Sequence, residues 1–537
     1  MLTNVGLRHF ATRDKHFEFG GRTTELDGLF AIDNVFVVVE ETTLSSEGLS
    51  DHLRKKAEVF KCFCDNPELT VSTLVVEFPE IDRYLRGRPD IDRRSCIVRS
   101  LYCTLNDLDE EYRLRYADAF HVLSFGALQY FLRLSRTIKR SARFELLKFL
   151  NIELEDIAGV SRAEHHTYRA LLLPEVESGF PPGHRIVSFL VDPKTLIERG
   201  YVLRADSWRD HDALYQRLLE KAKIGSMRRY LDGEERVFVN NVIVTLPPTV
   251  TFTPDAAPGR RRVREEIATG NLVVPRAFNT IGIIDGQHRV YSYHEGDDQF
   301  EPRIAVLRDK QHLLATGIIY PSNSQEETAK QFEAKLFLEI NDKQKRVRGD
   351  LKQAIERIVD PYSPVAIAKA VIERLAATGP LQGKLEVHFF DVGRLKTTSI
   401  VSYGLRHIVD VGGSASLFQL WPGPGKTAVK EGRDRQALAK YVNFAANRLN
   451  LLIAGYRASI PGPLWTPDKR ASRALSATAI NGLVFCMRRL IEADKVADDF
   501  QYYRRAFGAM SLDFRPGRFP YKSSGWRALG DYFFELF

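Results

Sequence analysis

Cysteine is scarce in this 537-residue chain, with five in all. Cys62 and Cys64 are separated by one residue, Cys96 and Cys103 by six, and Cys486 stands alone. No Cys-x-x-Cys pair has a second half placed to complete a zinc site, and an odd count excludes a full set of intramolecular disulfides. The five read as buried or indifferent thiols. Long apolar runs are also missing, since nothing approaches the roughly 20 residues that span a bilayer. The opening stretch MLTNVGLRHFATRDKHFEF lacks the continuous apolar core of a secretory signal. A cytoplasmic protein with no membrane partner is therefore expected. No internal repeat and no long low-complexity tract is present either.

What is present describes an ordinary globular chain, 44% hydrophobic and 27% charged, and too long for one core. The net charge of +8 is moderately basic, compatible with a polyanionic partner. It is concentrated in clusters: Arg260, Arg261 and Arg262 in GRRRVR, and Arg228 and Arg229 in MRRYLDGEER. Each reads either as solvated surface or as a set of contacts to the phosphates of DNA.

Two Pro/Gly-rich stretches, SGFPPGH (178–184) and WPGPGKT (421–427), punctuate the chain. They suggest three domains: 1–175, 184–420 and 428–537. The first opens with the strand patterns ELDGLFAI and VFVVVEET and continues with a long helical region that includes YADAFHVLSFGALQYFLRLSRTIKR. The second mixes strands (RIVSFLV, NNVIVTLP, IGIID, RIAVLRD) with helices (LYQRLLEKAKIGSMRRYL, AKQFEAKLFLEIN). The third is helical, through RQALAKYVNFAANRLNLLIAGY and ALSATAINGLVFCMRRLIEA. An α+β (mixed α/β) fold with a helical C-terminal region follows.

In the first domain, Asp33-Asn34 is a good two-residue hairpin turn between two β-rich runs. Counting outward from it puts Asp27 opposite Glu40, and Glu25 opposite Thr42. Two opposed carboxylates repel, and a divalent cation such as Mg2+ removes that penalty. The arrangement resembles the PD-(D/E)XK nuclease core, which sets an Asp on one strand and Glu-x-Lys on the next to bind magnesium and activate water. The resemblance implies that Asp27 and Glu40 hold the metal. Thr42 stands where the lysine belongs, so a basic residue must come from elsewhere, and Lys55 or Lys56 in DHLRKKAEVF is placed to supply it. The alternative is a core that contacts DNA without cleaving it.

IGIIDGQHRVYSYHEG (281–296) places an apolar strand before Asp285, Gly286, Gln287, His288 and Arg289, with a helix expected to follow. Glycine permits close backbone approach. A helix start favours an anion, and arginine offers phosphate oxygens a planar fork. The string DGQHR is the signature of the DGQHR-domain family, which includes DndB-like phosphorothioation proteins and relatives in deazaguanine DNA-modification clusters. VDPKTLIERGYVLR, FVNNVIVTLP and FLEINDKQKRV resemble the family in the same order. The resemblance implies a ParB/sulfiredoxin-like fold and hydrolysis of ATP or another nucleoside triphosphate with Mg2+. It makes Asp285, Gln287, His288 and Arg289 catalytic, with Gly286, Arg289, Arg217 and Asn341 holding the nucleotide. Tyr291 and Tyr293 read as packing residues. His294, His312 and His388 lack partners at helical spacing and do not suggest a metal site.

Together these readings describe a DNA-acting protein of a prokaryotic DNA-modification or phage-defence system, with DNA and other proteins of that system as partners. Oligomerisation stays open. The rival expectation is a non-catalytic DNA-binding regulator or a scaffold for a modification enzyme.

Overall fold

The computed structural model describes the chain apart from residues 13–14, 45, 107, 109, 159–164, 204–217, 256–266, 345–348, 388–390, 392, 516 and 522. It is mixed α/β and divides into two compact units, Met1–Ala329 and Lys330–Phe537. Among the described residues, no helix is long and apolar enough to cross a membrane.

Unit 1 holds two sheets. The first has the order β1-β4-β5-β6-β7: β1 (Arg8–Phe10), β4 (Gly28–Ile32), β5 (Val35–Thr42), β6 (Ile97–Thr104) and β7 (His121–Leu123). A separate hairpin, β2 (Phe17–Phe19) with β3 (Arg22–Thr24), lies between β1 and β4 in the chain. β4 and β5 are the expected antiparallel hairpin, with Ile32 opposite Val35 and Ala31 opposite Phe36. Asp33 takes a positive φ of 50° to make the turn, a conformation Asp tolerates. The turn is tied down by Asn34, whose side chain donates to the carbonyls of Ser95 and Asp156 and accepts from the Ala158 N–H.

The chain crosses from β5 to a parallel β6 through α1 (Ser46–Asp65), α2 (Pro67–Glu77) and α3 (Pro79–Arg86). Leu49, Leu53, Ala57, Phe60 and Phe63 line the inner side of α1 and pack with Phe36, Val38, Val98 and Tyr102. The alternate residues Val35, Val37, Val39 and Leu101 are buried as well. β5 is therefore apolar on both faces up to Glu40, as a covered central strand must be. The expected long helical region is interrupted at 116–140: His121–Leu123 joins the sheet, and the helix proper is Phe125–Ile138, capped by Ser124.

The second sheet has the order β10-β14-β11-β15-β9-β8-β13-β12. Its strands are β8 (His165–Leu173), β9 (Arg185–Val191), β10 (Gly200–Tyr201), β11 (Val242–Leu246), β12 (Thr251–Pro254), β13 (Ala268–Pro275), β14 (Ile281–Asp285) and β15 (Leu313–Ile319). RIVSFLV and IGIID are strands with the expected bounds. RIAVLRD is not. Residues Glu301–Lys310 form a helix with Pro302 in its first turn, where the missing N–H costs nothing. Ile304 and Leu307, three apart, are its buried pair while Val306 is exposed, so the spacing is helical although the composition is β-like.

In unit 2, helices Pro364–Ala377, Arg435–Ala458, Ala477–Glu492, Phe500–Gly508 and Trp526–Phe534 share one core. That core reaches back to Ile367. The helical region thus begins well before the expected boundary at 428, and the expected boundary between 175 and 184 falls inside unit 1.

Candidate functional site at the end of the β4–β5 hairpin

The β4–β5 ladder ends at Gly28 opposite Val39, and one further step brings Asp27 to Glu40. Asp27 is exposed and accepts a hydrogen bond from the Glu41 N–H at 2.7 Å. Glu40 is 2% exposed and points to the side covered by α1. Glu25, expected opposite Thr42, lies outside the ladder. Its carboxylate stands 3.9 Å from Lys56 and 3.7 Å from His16.

Glu40 is met by α1. Lys56 Nζ lies 3.0 and 3.1 Å from its two oxygens, and His52 Nε2 lies 3.3 Å from Oε1. His52 and Lys56 are four residues apart and therefore share a helix face. Of the two lysines the sequence offers, Lys56 is the one that reaches the carboxylate. Burial pushes the Glu40 pKa up to about 7, Lys56 offsets only part of this, and Asp27 and Glu25 raise it further. A carboxyl group in this state gains from a nearby cation. Asp27 and Glu40 are the pair that would hold one. Among the described residues no group of three or more His, Cys, Asp or Glu side chains forms a metal cage. Two carboxylates suit Mg2+, which keeps much of its water and also takes substrate phosphate.

The DGQHR string sits where expected, at the end of β14. Gly286 takes φ 98°, and a Cβ there would meet the Arg289 guanidinium at 3.0 Å. Arg289 folds back: its Nη2 donates to Asp285 Oδ2 at 3.0 Å and to the Asn241 carbonyl at 2.8 Å. His288 Nε2 accepts from the Glu220 N–H at 3.3 Å, and Gln287 is 9% exposed. The following helix is only five residues, Gln287–Tyr291. Tyr291 and Tyr293 are buried, as a packing role requires.

Arg228 is not a phosphate contact. It is 1% exposed, binds both Asp298 oxygens (2.7 and 2.8 Å) and Glu301 (2.9 Å), and donates to the carbonyls of Ser292 and His294. It is a buried strut under the loop that follows DGQHR. Arg229, its neighbour, is exposed. Asn341 belongs to unit 2, and its amide donates to the Phe337 carbonyl within its own helix. Arg217, Arg260, Arg261, Arg262 and His388 lie outside the described residues.

Sequence reasoning missed His52 and Tyr102. The signal for His52 was its i, i+4 spacing to Lys56. Tyr102, the register partner of Glu40 on β6, needed the crossover pairing, which local pattern does not give. It also missed the contacts joining the two sheets of unit 1. Arg143 holds Glu295 with two bonds of 2.7 and 2.8 Å, and Ser141 accepts from the Glu295 N–H. A small cavity beside this seam is lined by Glu145, Glu198, Tyr201, Asn279 and Tyr291, among others. All five cysteines are free thiols.

No protein-family model matches the chain, and no curated protein or solved structure is significantly similar to it.

Proposed function

We propose that this protein is a DNA-acting hydrolase whose N-terminal sheet carries a PD-(D/E)XK-like site for phosphodiester cleavage. Asp27 and Glu40 are its metal-holding carboxylates and Lys56 its basic residue. The observation that carries this reading is Lys56. The expected motif position holds Thr42, and a lysine from α1 stands 3.0 Å from Glu40 instead.

A divalent ion bound there supplies charge to the scissile phosphate and lowers the pKa of a bound water. The rest falls to the chain. Glu40, held by Lys56, offers a carboxylate whose negative charge burial disfavours. Lys56 supplies positive charge beside developing negative charge and orients the attacking water. Asp27, held by the Glu41 N–H, sits at the solvent edge where a DNA backbone has access.

The DGQHR module is proposed to bind and hydrolyse a nucleoside triphosphate in the same DNA-modification or defence context. In the free chain Arg289 already serves Asp285 and a carbonyl. A phosphate would take over the Asp285 contact at Nη2, freeing that carboxylate, or meet the guanidinium's other N–H groups.

Wild type, Asp27→Asn and Lys56→Met are to be incubated with linear, supercoiled and modified DNA in Mg2+ and in Mn2+. Metal-dependent cleavage by wild type, lost in both variants, is expected. Metal binding without cleavage in any DNA leaves the rival reading, a DNA-sensing protein. Cleavage undiminished in Lys56→Met removes the assignment of Lys56.

A further inference from the structure

Behind Glu40 runs a chain of side chains that do not touch the reacting groups. His52 Nδ1 lies 2.9 Å from the Tyr102 hydroxyl, while its Nε2 faces Glu40 Oε1 at 3.3 Å. Tyr102 is completely buried, and the chain Tyr102–His52–Glu40 joins β6, α1 and β5, three elements of one sheet layer. Burial and then the nearby Glu40 push the Tyr102 pKa far above its ordinary range, so the hydroxyl keeps its proton. In the ionised form that a metal ligand must take, the Glu40 carboxylate can only accept. An imidazole that accepts the tyrosine proton at Nδ1 carries its own proton on Nε2, the nitrogen that faces Glu40 Oε1 at 3.3 Å in an ion-pair contact. Partners of this kind fix a ring's tautomer and orientation.

We propose that His52 is a positioning residue for the Glu40 carboxylate, locked in its Nε2-protonated tautomer by Tyr102, so that the metal meets one fixed carboxylate orientation. The inference rests on reading Glu40 as a metal ligand. It differs from the role of Lys56, whose charge also serves the reaction: His52 acts only through Glu40.

Two readouts separate positioning from mere packing. Direct titration of Mn2+ into the full chain should show His52→Ala binding about tenfold or more weakly than wild type, the scale of lost outer-shell partners. His52→Gln keeps an N–H donor toward Glu40 and should recover most of the affinity. Tyr102→Phe should weaken binding less. In metal-free protein labelled with 15N-histidine and held well above the raised Glu40 pKa, His52 should show a protonated Nε2 and a bare Nδ1 in wild type, and a mixture of tautomers in Tyr102→Phe. If His52→Ala does not fold, the Tyr102→Phe comparison and the tautomer still decide. Equal Mn2+ affinity in wild type, His52→Ala and Tyr102→Phe overturns the inference alone, as does a protonated Nδ1 in wild type. A wild type that binds no Mn2+ overturns both this inference and the metal site. Mn2+ binding that weakens in His52→Ala, with no DNA cleaved by wild type, supports positioning and removes only the nuclease activity.

Discussion

Glu40 has its carboxyl buried in a strand that is otherwise apolar up to that point, with one lysine to meet it. Its pKa of about 7 lies above the value near 4.3 of an unfolded glutamate. Between those values the folded chain holds a proton that the unfolded chain has released. Stability therefore falls as pH rises through this window, by on the order of 3 kcal/mol in full. Glu40→Gln should lack this dependence, so the melting temperatures of variant and wild type should separate progressively from pH 5 to pH 7.5. A constant difference across that range would mean Glu40 is ionised throughout. Mn2+ should restore wild-type stability above pH 7 and leave Glu40→Gln unmoved. Arg228 presents the opposite case, a buried cation with both its carboxylates present. Arg228→Ala strands Asp298 and leaves Glu301 with Arg308 as its remaining arginine, and should cost about 3 kcal/mol in urea unfolding. DNA affinity should be unchanged where the variant is folded. A large loss of affinity with normal stability would return Arg228 to the DNA surface. The sequence showed Arg228 and Arg229 as one basic cluster; only the helix phase, which turns neighbours about 100° apart, assigns one inward and the other out.

The elements legible in the sequence were those whose signal is local. Asp33-Asn34 set the hairpin, and with it the register that brings Asp27 to Glu40, because a two-residue turn leaves no freedom in the pairing. IGIID and RIVSFLV were legible because runs of β-branched residues end sharply at Asp285-Gly286 and at Asp192-Pro193. RIAVLRD failed for lack of such an end: Ile304, Ala305 and Val306 suit a strand, and the decisive fact was Pro302 opening a helix. His121–Leu123 was lost inside a helical pattern because three residues give too few repeats to read. At the end of β14 the chain needs Gly286 twice over, for a φ of 98° and for the space beside Arg289. Gly286→Ala should therefore cost at least 1–2 kcal/mol from the left-handed backbone alone, and more through the displaced guanidinium. It should also remove whatever nucleotide hydrolysis the module performs. A variant with wild-type stability and wild-type ATP turnover would show that the turn tolerates a side chain and does not constrain the site.

At the scale of the molecule, unit 1 unites what the sequence divides at residues 175–184. The seam is polar and specific: Arg143, just after the first sheet's helix, grips Glu295, in the loop that the DGQHR helix leads into. Burial alone would raise the Glu295 pKa, and the Arg143 hydrogen bonds override it and hold the carboxylate below its ordinary range. Stability from this pair is thus present above the unfolded glutamate pKa and is lost as pH falls through the lower folded value. No local pattern announces such a contact between residues 143 and 295, so the sequence alone marks a boundary where the structure has a joint. If nucleotide at Asp285–Arg289 is to influence Asp27 and Glu40, Arg143–Glu295 and Ser141 are one packed route between the two sheets, beside Lys139–Asp297 and Phe144–Phe278. A double-mutant cycle of Arg143→Ala and Glu295→Ala should give a coupling energy of about 1–3 kcal/mol in unfolding. The functional counterpart is sharper. Where ATP changes the rate of metal-dependent DNA cleavage by wild type, Arg143→Ala should cleave at one rate with or without ATP, while its Mn2+ affinity stays as it was. An ATP response that survives in Arg143→Ala would mean that the two sites communicate by another path. Altered Mn2+ affinity would mean that Arg143 supports the first sheet itself rather than the joint between the two.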